Sequence, residues 1–232
     1  AWARHFAHDL RILDHAAAIH SLEPGLATQA SEALWMPSVA QLRNPRLVKS
    51  LKGSLQYHQI DYSEHEAVNE IKQHKGRVVG VKTASRSIAA NTVIITAGAW
   101  SSALLQQAAA QVAVEPVRGQ MLVYKAEPGL VRHMILDRGH YLIPRRDGRV
   151  LIGSTLEYVG FDKSTTAQAR EQLNDCALSL IPALSRYDVE RHWSGLRPGS
   201  PSGVPYIGNH PGLQGLFFNC GHFRNGVILG LA

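Results

Sequence analysis

Three short stretches of this 232-residue chain carry side chains able to do chemistry. In the first, GHFRNG at 221–226 precedes the apolar run Val227, Ile228 and Leu229. Its surroundings read as a buried strand through Cys220, a turn over 221–226 and a helix from Val227. Glycines before a helix start let several backbone N–H groups converge, with the positive end of the dipole, on an anion or a carbonyl oxygen. The same residues also suit a plain strand-to-helix turn with Arg224 in water. In the second, WSGLRP at 193–198, Arg197 offers a planar fork suited to a carboxylate, and Pro198 biases the preceding backbone toward an extended form. A structural ion pair would account for a lone arginine equally well. In the third, HYLIPR at 140–145, Tyr141 has a phenolic donor for the same anion, although a strand tyrosine more often only packs.

Other chemistry is missing. No GxGxxG follows a strand-like run and no GxxxxGK[ST] occurs, so the sequence holds no dinucleotide or nucleotide phosphate cradle of the usual kind. His5, His8, His15 and His20 fall at helical spacings without an HExxH pattern or acidic partners, and no metal site is expected. The formal charge of +6 is scattered. Its densest stretch, Arg145, Arg146 and Arg149, falls far short of a nucleic-acid groove, so no nucleic-acid partner is expected. Cys176 and Cys220 lie in apolar runs and read as buried thiols, which fits a reducing cytoplasm. No apolar run approaches the roughly 18 residues of a membrane span. A homo-oligomer is left open.

The elements that must position these residues alternate between types. Phe6, Leu10, Leu13 and Ala17 predict a helix over 2–20, ended by Pro24-Gly25. Asn44-Pro45 opens a second helix bearing Leu47, Val48, Leu51 and Leu55, with Asn44 as its capping side chain. Residues 67–96 predict a strand meander ending in a fully buried strand at 92–95. A helix follows over 101–110, then strands over 112–155 with Asp147-Gly148 as a hairpin turn. A further helix over 165–181 stops before Pro182.

Set side by side in order, VIITAGAWS (93–101), PVRGQ (116–120), YLIPR (141–145), GSTLE (153–157), GLRP (195–198) and GHFRNG (221–226) resemble the D-amino-acid oxidase family of FAD-dependent oxidoreductases. The ending is most similar to the family's glycine oxidases of thiamine biosynthesis. The resemblance implies an α+β fold, with an antiparallel-sheet substrate lobe (1–43 and 113–194) interleaved with a partial FAD-binding lobe (44–112 and 195–232). It implies FAD as cofactor and a small amino acid or amine as substrate, which passes a hydride from its α-carbon to the flavin. By family position Arg197 grips the substrate carboxylate, Tyr141 supports it and Leu156 lines the pocket. Gly98, Gly221, His222, Phe223, Arg224, Asn225, Gly226, Val227 and Ile228 lie by the flavin, and Val68 holds the adenine end through its backbone. Members of this family begin with a βαβ unit bearing GxGxxG, which these residues lack. The chain is therefore expected to be an internal segment of a longer enzyme, binding FAD weakly and inactive by itself. Two rival expectations are a D-amino-acid dehydrogenase that reduces a quinone and a non-catalytic interaction module.

Overall fold

The computed structural model describes residues 9–108 and 112–230, which divide into two compact units, 1–66 and 67–232. In the first unit β1 (Arg11–Leu13) pairs antiparallel with β2 (Ala33–Trp35), and two helices, α1 (Ala16–Leu22) and α2 (Asn44–Tyr57), follow β1 and β2 respectively. The single helix expected over 2–20 is thus corrected. Leu10, Leu13 and Ala17 fit the helical period, but Arg11–Leu13 takes extended backbone because Ala33–Trp35 supplies its ladder hydrogen bonds. Phe6, His5 and His8 lie outside the described residues. Helix α2 begins as expected with a proline in its first turn, but the cap is Arg43, and no side chain caps its N–H groups. Its Val48 and Leu51 are exposed.

Among the described residues the second unit contains three sheets. An antiparallel meander holds β3 (Val68–His74), β4 (Arg77–Thr83) and β5 (Ser87–Ala89). The strand expected to end that meander, β6 (Val93–Ile95), instead leaves it and pairs parallel with β13 (Leu216–Cys220), which is antiparallel to β12 (Tyr206–Asn209). Nor is β6 fully buried: it stands at the edge of its sheet and leaves Ile94 62% exposed. A 3-10 turn at Gly98–Trp100 leads into α3 (Ser101–Gln107), where Ser102 bonds the backbone of Val112 and Val114; residues 109–111 lie outside the described set.

The largest sheet has the order β11 (Val189–Gly199), β7 (Glu115–Lys125), β10 (Arg149–Gly153), β9 (His140–Pro144) and β8 (Ile135–Asp137), all antiparallel. Along a strand alternate side chains take opposite faces. Leu122, Tyr124, Leu142, Val150 and Ile152 form one fully buried face. Against it packs α4 (Ala167–Leu180), through Ala169, Leu173, Ala177 and Leu180. The Tyr124 hydroxyl reaches Asn174 Oδ1 of α4 at 2.9 Å, and burial pushes its pKa up to about 12. Thr166 caps α4 by accepting from Ala169 N, and Pro182 lies beyond its end, as the sequence predicts. The expected hairpin at Asp147-Gly148 joins β9 to β10; Gly148 takes φ +87°, a conformation in which a Cβ would strike the Ala126 carbonyl. The mixture of helices with antiparallel sheets is the α+β class. No helix among the described residues is long and apolar enough to cross a membrane. No group of three or more His, Cys, Asp or Glu among them is placed to hold a metal ion. Cys220 is buried and Cys176, on α4, only partly so; both are free, and burial pushes both thiols up.

Candidate functional site

The face of the five-stranded sheet turned away from α4 carries both Arg197 and Tyr141. Register fixes this: Trp193 pairs with Met121, Met121 with Gly153, and Gly153 with Tyr141, so these residues share one face, and Arg197 belongs to it four residues after Trp193. Arg197 lies back across β7 over Gly119. A Cβ on Gly119 would stand 2.1 Å from Nη1 and 2.3 Å from Nη2, so only glycine leaves room for the guanidinium there. Nη2 donates to Ser154 Oγ at 2.6 Å and Nη1 to the Thr155 carbonyl at 3.3 Å. Both acceptors are neutral, and among the described residues Arg197 forms no ion pair with a carboxylate. A partly buried, fully charged fork held by neutral acceptors keeps its capacity for an anion.

Tyr141 stands against the same segment. Its ring edge would lie 3.0 Å from a Cβ on Gly153, and among the described residues its hydroxyl has only a 3.9 Å contact with Met121 Sδ, a weak acceptor that leaves the phenol free to donate elsewhere. Leu156, 44% exposed, lines a pocket of about 450 Å³ together with Ser154, Thr155, Arg138, Gln168 and Arg224. Ser154 therefore touches both the Arg197 fork and the pocket wall.

The polar loop at 221–226 reaches this site by one backbone bond. Phe223 N donates to the carbonyl of Pro198, the residue after Arg197, at 2.9 Å. Strands β6 and β13 run parallel, so the segments leaving their C-terminal ends, Ala97-Gly98 and Gly221-His222, emerge side by side. The crevice outside the carboxyl ends of parallel strands is where open α/β sheets bind ligands. At that edge Gly221 takes φ +73°, and a Cβ there would stand 3.0 Å from the Tyr206 ring and 3.4 Å from Ser200 and Val114. The ring of His222 is buried with Nε2 unpartnered among the described residues. Asn225 is the cap residue of α5 (Gly226–Leu229), a single turn that leaves Val227 and Ile228 exposed. Val68 lines a second, apolar pocket of about 260 Å³ beside the end of β6, with Ile71, Val81, Thr96 and Ala97.

Several contributors carry no signal of their own in the sequence. Gly119 and Ser154 lie inside the quoted stretches, yet their parts appear only through cross-strand pairing; a glycine in the middle of PVRGQ was the one visible hint of a close approach. Glu157 is another. Burial works to raise its pKa, but hydrogen bonds from Thr155, Arg118 and Gln120 together outweigh this and hold the carboxyl below its ordinary value.

All 232 residues match the family model described as FAD dependent oxidoreductase. The chain is similar to glycine oxidase from Pseudomonas putida, at 47% identity covering 99% of this chain and 63% of that protein, and to glycine oxidase from Pseudomonas aeruginosa at 44%, covering 98% and 63%. Among solved structures, glycine oxidase from Geobacillus kaustophilus superposes with a TM-score of 0.93 at 28% identity, covering 98% of this chain and 61% of that one. The chain thus spans a little under two thirds of the length of these relatives.

Proposed function

We propose, on the premise that this chain belongs to the FAD dependent oxidoreductase (DAO) family, that it supplies the substrate-binding face and part of the flavin-binding face of an oxidase acting on glycine or another small amino acid or amine. The observation that carries this reading is the Arg197 guanidinium, charged, flat against β7 and without a carboxylate partner among the described residues. Similarity to proteins named glycine oxidase supports the choice of substrate class.

The residues present fit the cofactor in part. The paired strand ends at Gly98 and Gly221, the buried unpartnered Nε2 of His222 and the apolar pocket at Val68 provide a surface for a flat ring at one end and for an adenine at the other. Gly221, His222, Phe223, Arg224, Asn225, Gly226, Val227 and Ile228 would face the ring, and Val68 the adenine. The diphosphate finds no GxGxxG here. FAD, when bound, supplies the acceptor for a hydride from the substrate α-carbon.

This chain's own residues would bind and orient. Arg197 holds the substrate carboxylate through the donors that Ser154 and Thr155 do not occupy, and the Tyr141 hydroxyl donates to the same carboxylate. Leu156, in the wall of the pocket next to the Ser154 that Arg197 holds, would meet the side-chain end of a small substrate. Fixing the carboxylate at two points aims the α-carbon, and orientation of this kind is worth much of a barrier. The proposed lobes, 1–43 with 113–194 and 44–112 with 195–232, meet within β11, which carries Arg197 just past the boundary. Two free thiols support a reducing cytoplasmic setting. By itself the 232-residue chain is expected to bind FAD weakly and to be inactive; a purified chain that is yellow with one flavin per chain would contradict this.

Oxygen is the proposed electron acceptor. The flavin-loaded enzyme containing this chain should release one hydrogen peroxide per glycine, sarcosine or D-alanine oxidised. Turnover that needs a quinone and yields no peroxide would replace the oxidase with a dehydrogenase, and no turnover of any amine would leave only a binding module.

A further inference from the structure

We propose that the Arg118–Glu157 ion pair, on the α4 side of the sheet, is a positioning device for Arg197 on the opposite side. This inference rests on the reading of Arg197 as the carboxylate anchor.

Arg118 and Arg197 come from neighbouring strands and point to opposite faces, since Leu196 pairs with Arg118 and Arg197 with Val117. The two arginines share one segment, residues 154–157. From one side Arg197 uses Ser154 Oγ and the Thr155 carbonyl. From the other, Arg118, only 4% exposed, donates from Nε and Nη2 to Glu157 Oε2 at 2.9 and 2.5 Å, and from Nη1 to Asp162 Oδ2 and the Ser164 carbonyl at 2.5 and 3.1 Å. Gln120 Nε2 donates to Glu157 Oε1 at 2.9 Å, and the Thr155 hydroxyl donates to the same oxygen.

The backbone is stitched as well. Glu157 N donates to the Arg118 carbonyl and Arg118 N to the Glu157 carbonyl, both at 2.9 Å, while Gln120 N donates to Thr155 Oγ1 at 2.8 Å. Thr155 and Glu157 turn their side chains into this network. Leu156 lines the pocket together with Ser154, Thr155 and Glu157, so the network and the pocket share this segment. The pair thus holds three things at once: both acceptors of the Arg197 fork and the apolar wall beside it. An ion pair with one partner buried and the other partly exposed is weak grounds for net stability by itself; its proposed role is the geometry it imposes.

The test is steady-state kinetics of the flavin-loaded enzyme with Glu157→Gln, which keeps the shape of the side chain and removes its charge. The expected result is a KM for glycine raised about three- to tenfold with kcat within about twofold, and a parallel rise in the inhibition constant of acetate, as befits loss of binding rather than of a transition-state interaction. Thr155→Val, which removes the hydroxyl's bonds to Glu157 Oε1 and from Gln120 N but leaves both charges of the Arg118–Glu157 pair in place, should shift KM in the same direction by a smaller factor, and it serves where Glu157→Gln does not fold. Arg149→Gln, which breaks an exposed ion pair to Glu190 on the same sheet, should leave KM unchanged. A folded Glu157→Gln or Thr155→Val enzyme with lowered melting temperature and unchanged KM would overturn the proposal and leave the network a purely structural one. Arg197→Ala separates the two claims. If it raises KM while the network variants do not, only the positioning role fails; if it leaves KM unchanged, the anchor itself is wrong.

Discussion

A guanidinium that lies over Gly119 and meets only neutral acceptors can be displaced without unfolding anything. A methyl group at residue 119 would collide with the end of a flexible side chain, not with backbone, so Gly119→Ala should move the fork and cost little stability. Its expected signature is a KM for glycine raised at least severalfold with a melting temperature within a few degrees of wild type. A large fall in melting temperature would show that the glycine serves the strand rather than the fork. Glu157 gives a second residue-scale prediction, in pH. The folded protein holds this carboxyl below its ordinary value. The stability it contributes is therefore complete above the unfolded pKa of about 4.3 and is lost as the pH falls through the lower folded value. Melting temperature followed from pH 7 down to pH 3 should fall less steeply in Glu157→Gln than in wild type, and parallel curves would contradict the assignment.

At the scale of elements, the sheet and α4 form a platform whose two faces have separate duties. Leu173 is wholly buried against the sheet on the face away from Arg197. Leu173→Ala should lower stability by about 2–5 kcal/mol in denaturant titration while leaving KM for glycine unchanged; a shifted KM would mean the faces are coupled through the helix and not through residues 154–157. The bounds of α4 were readable because a hydroxyl cap and a proline mark them, and the β9–β10 hairpin because Asp147-Gly148 meets a local backbone demand. The helix expected over 2–20 failed for the opposite reason. Leu10, Leu13 and Ala17 fit a helix, and nothing local reveals that Ala33–Trp35 will pair with Arg11–Leu13. The burial expected of β6 failed likewise, because exposure is decided by which edge of a sheet a strand occupies. In the proposed site, Arg197 and Tyr141 stood out in short motifs, as candidates only. Gly119, Ser154 and the Arg118–Glu157 pair were not, since their roles arise from strands brought together by register.

For the whole molecule, the FAD dependent oxidoreductase fold places two kinds of surface next to each other: an antiparallel platform that can grip a carboxylate and a parallel strand pair whose ends can face a ring. The bond from Phe223 N to the Pro198 carbonyl joins them. Arg197 is the proposed carboxylate anchor of that platform. Anaerobic mixing of glycine with the flavin-loaded enzyme, followed by loss of flavin absorbance, tests it most directly. Wild type should show a reduction rate that saturates with glycine, and Arg197→Ala should need at least about tenfold more glycine for half-saturation, the loss of a charge-assisted pair worth roughly 1.5–3 kcal/mol. Half-saturation at the same glycine concentration in both enzymes would rule out Arg197 as the anchor.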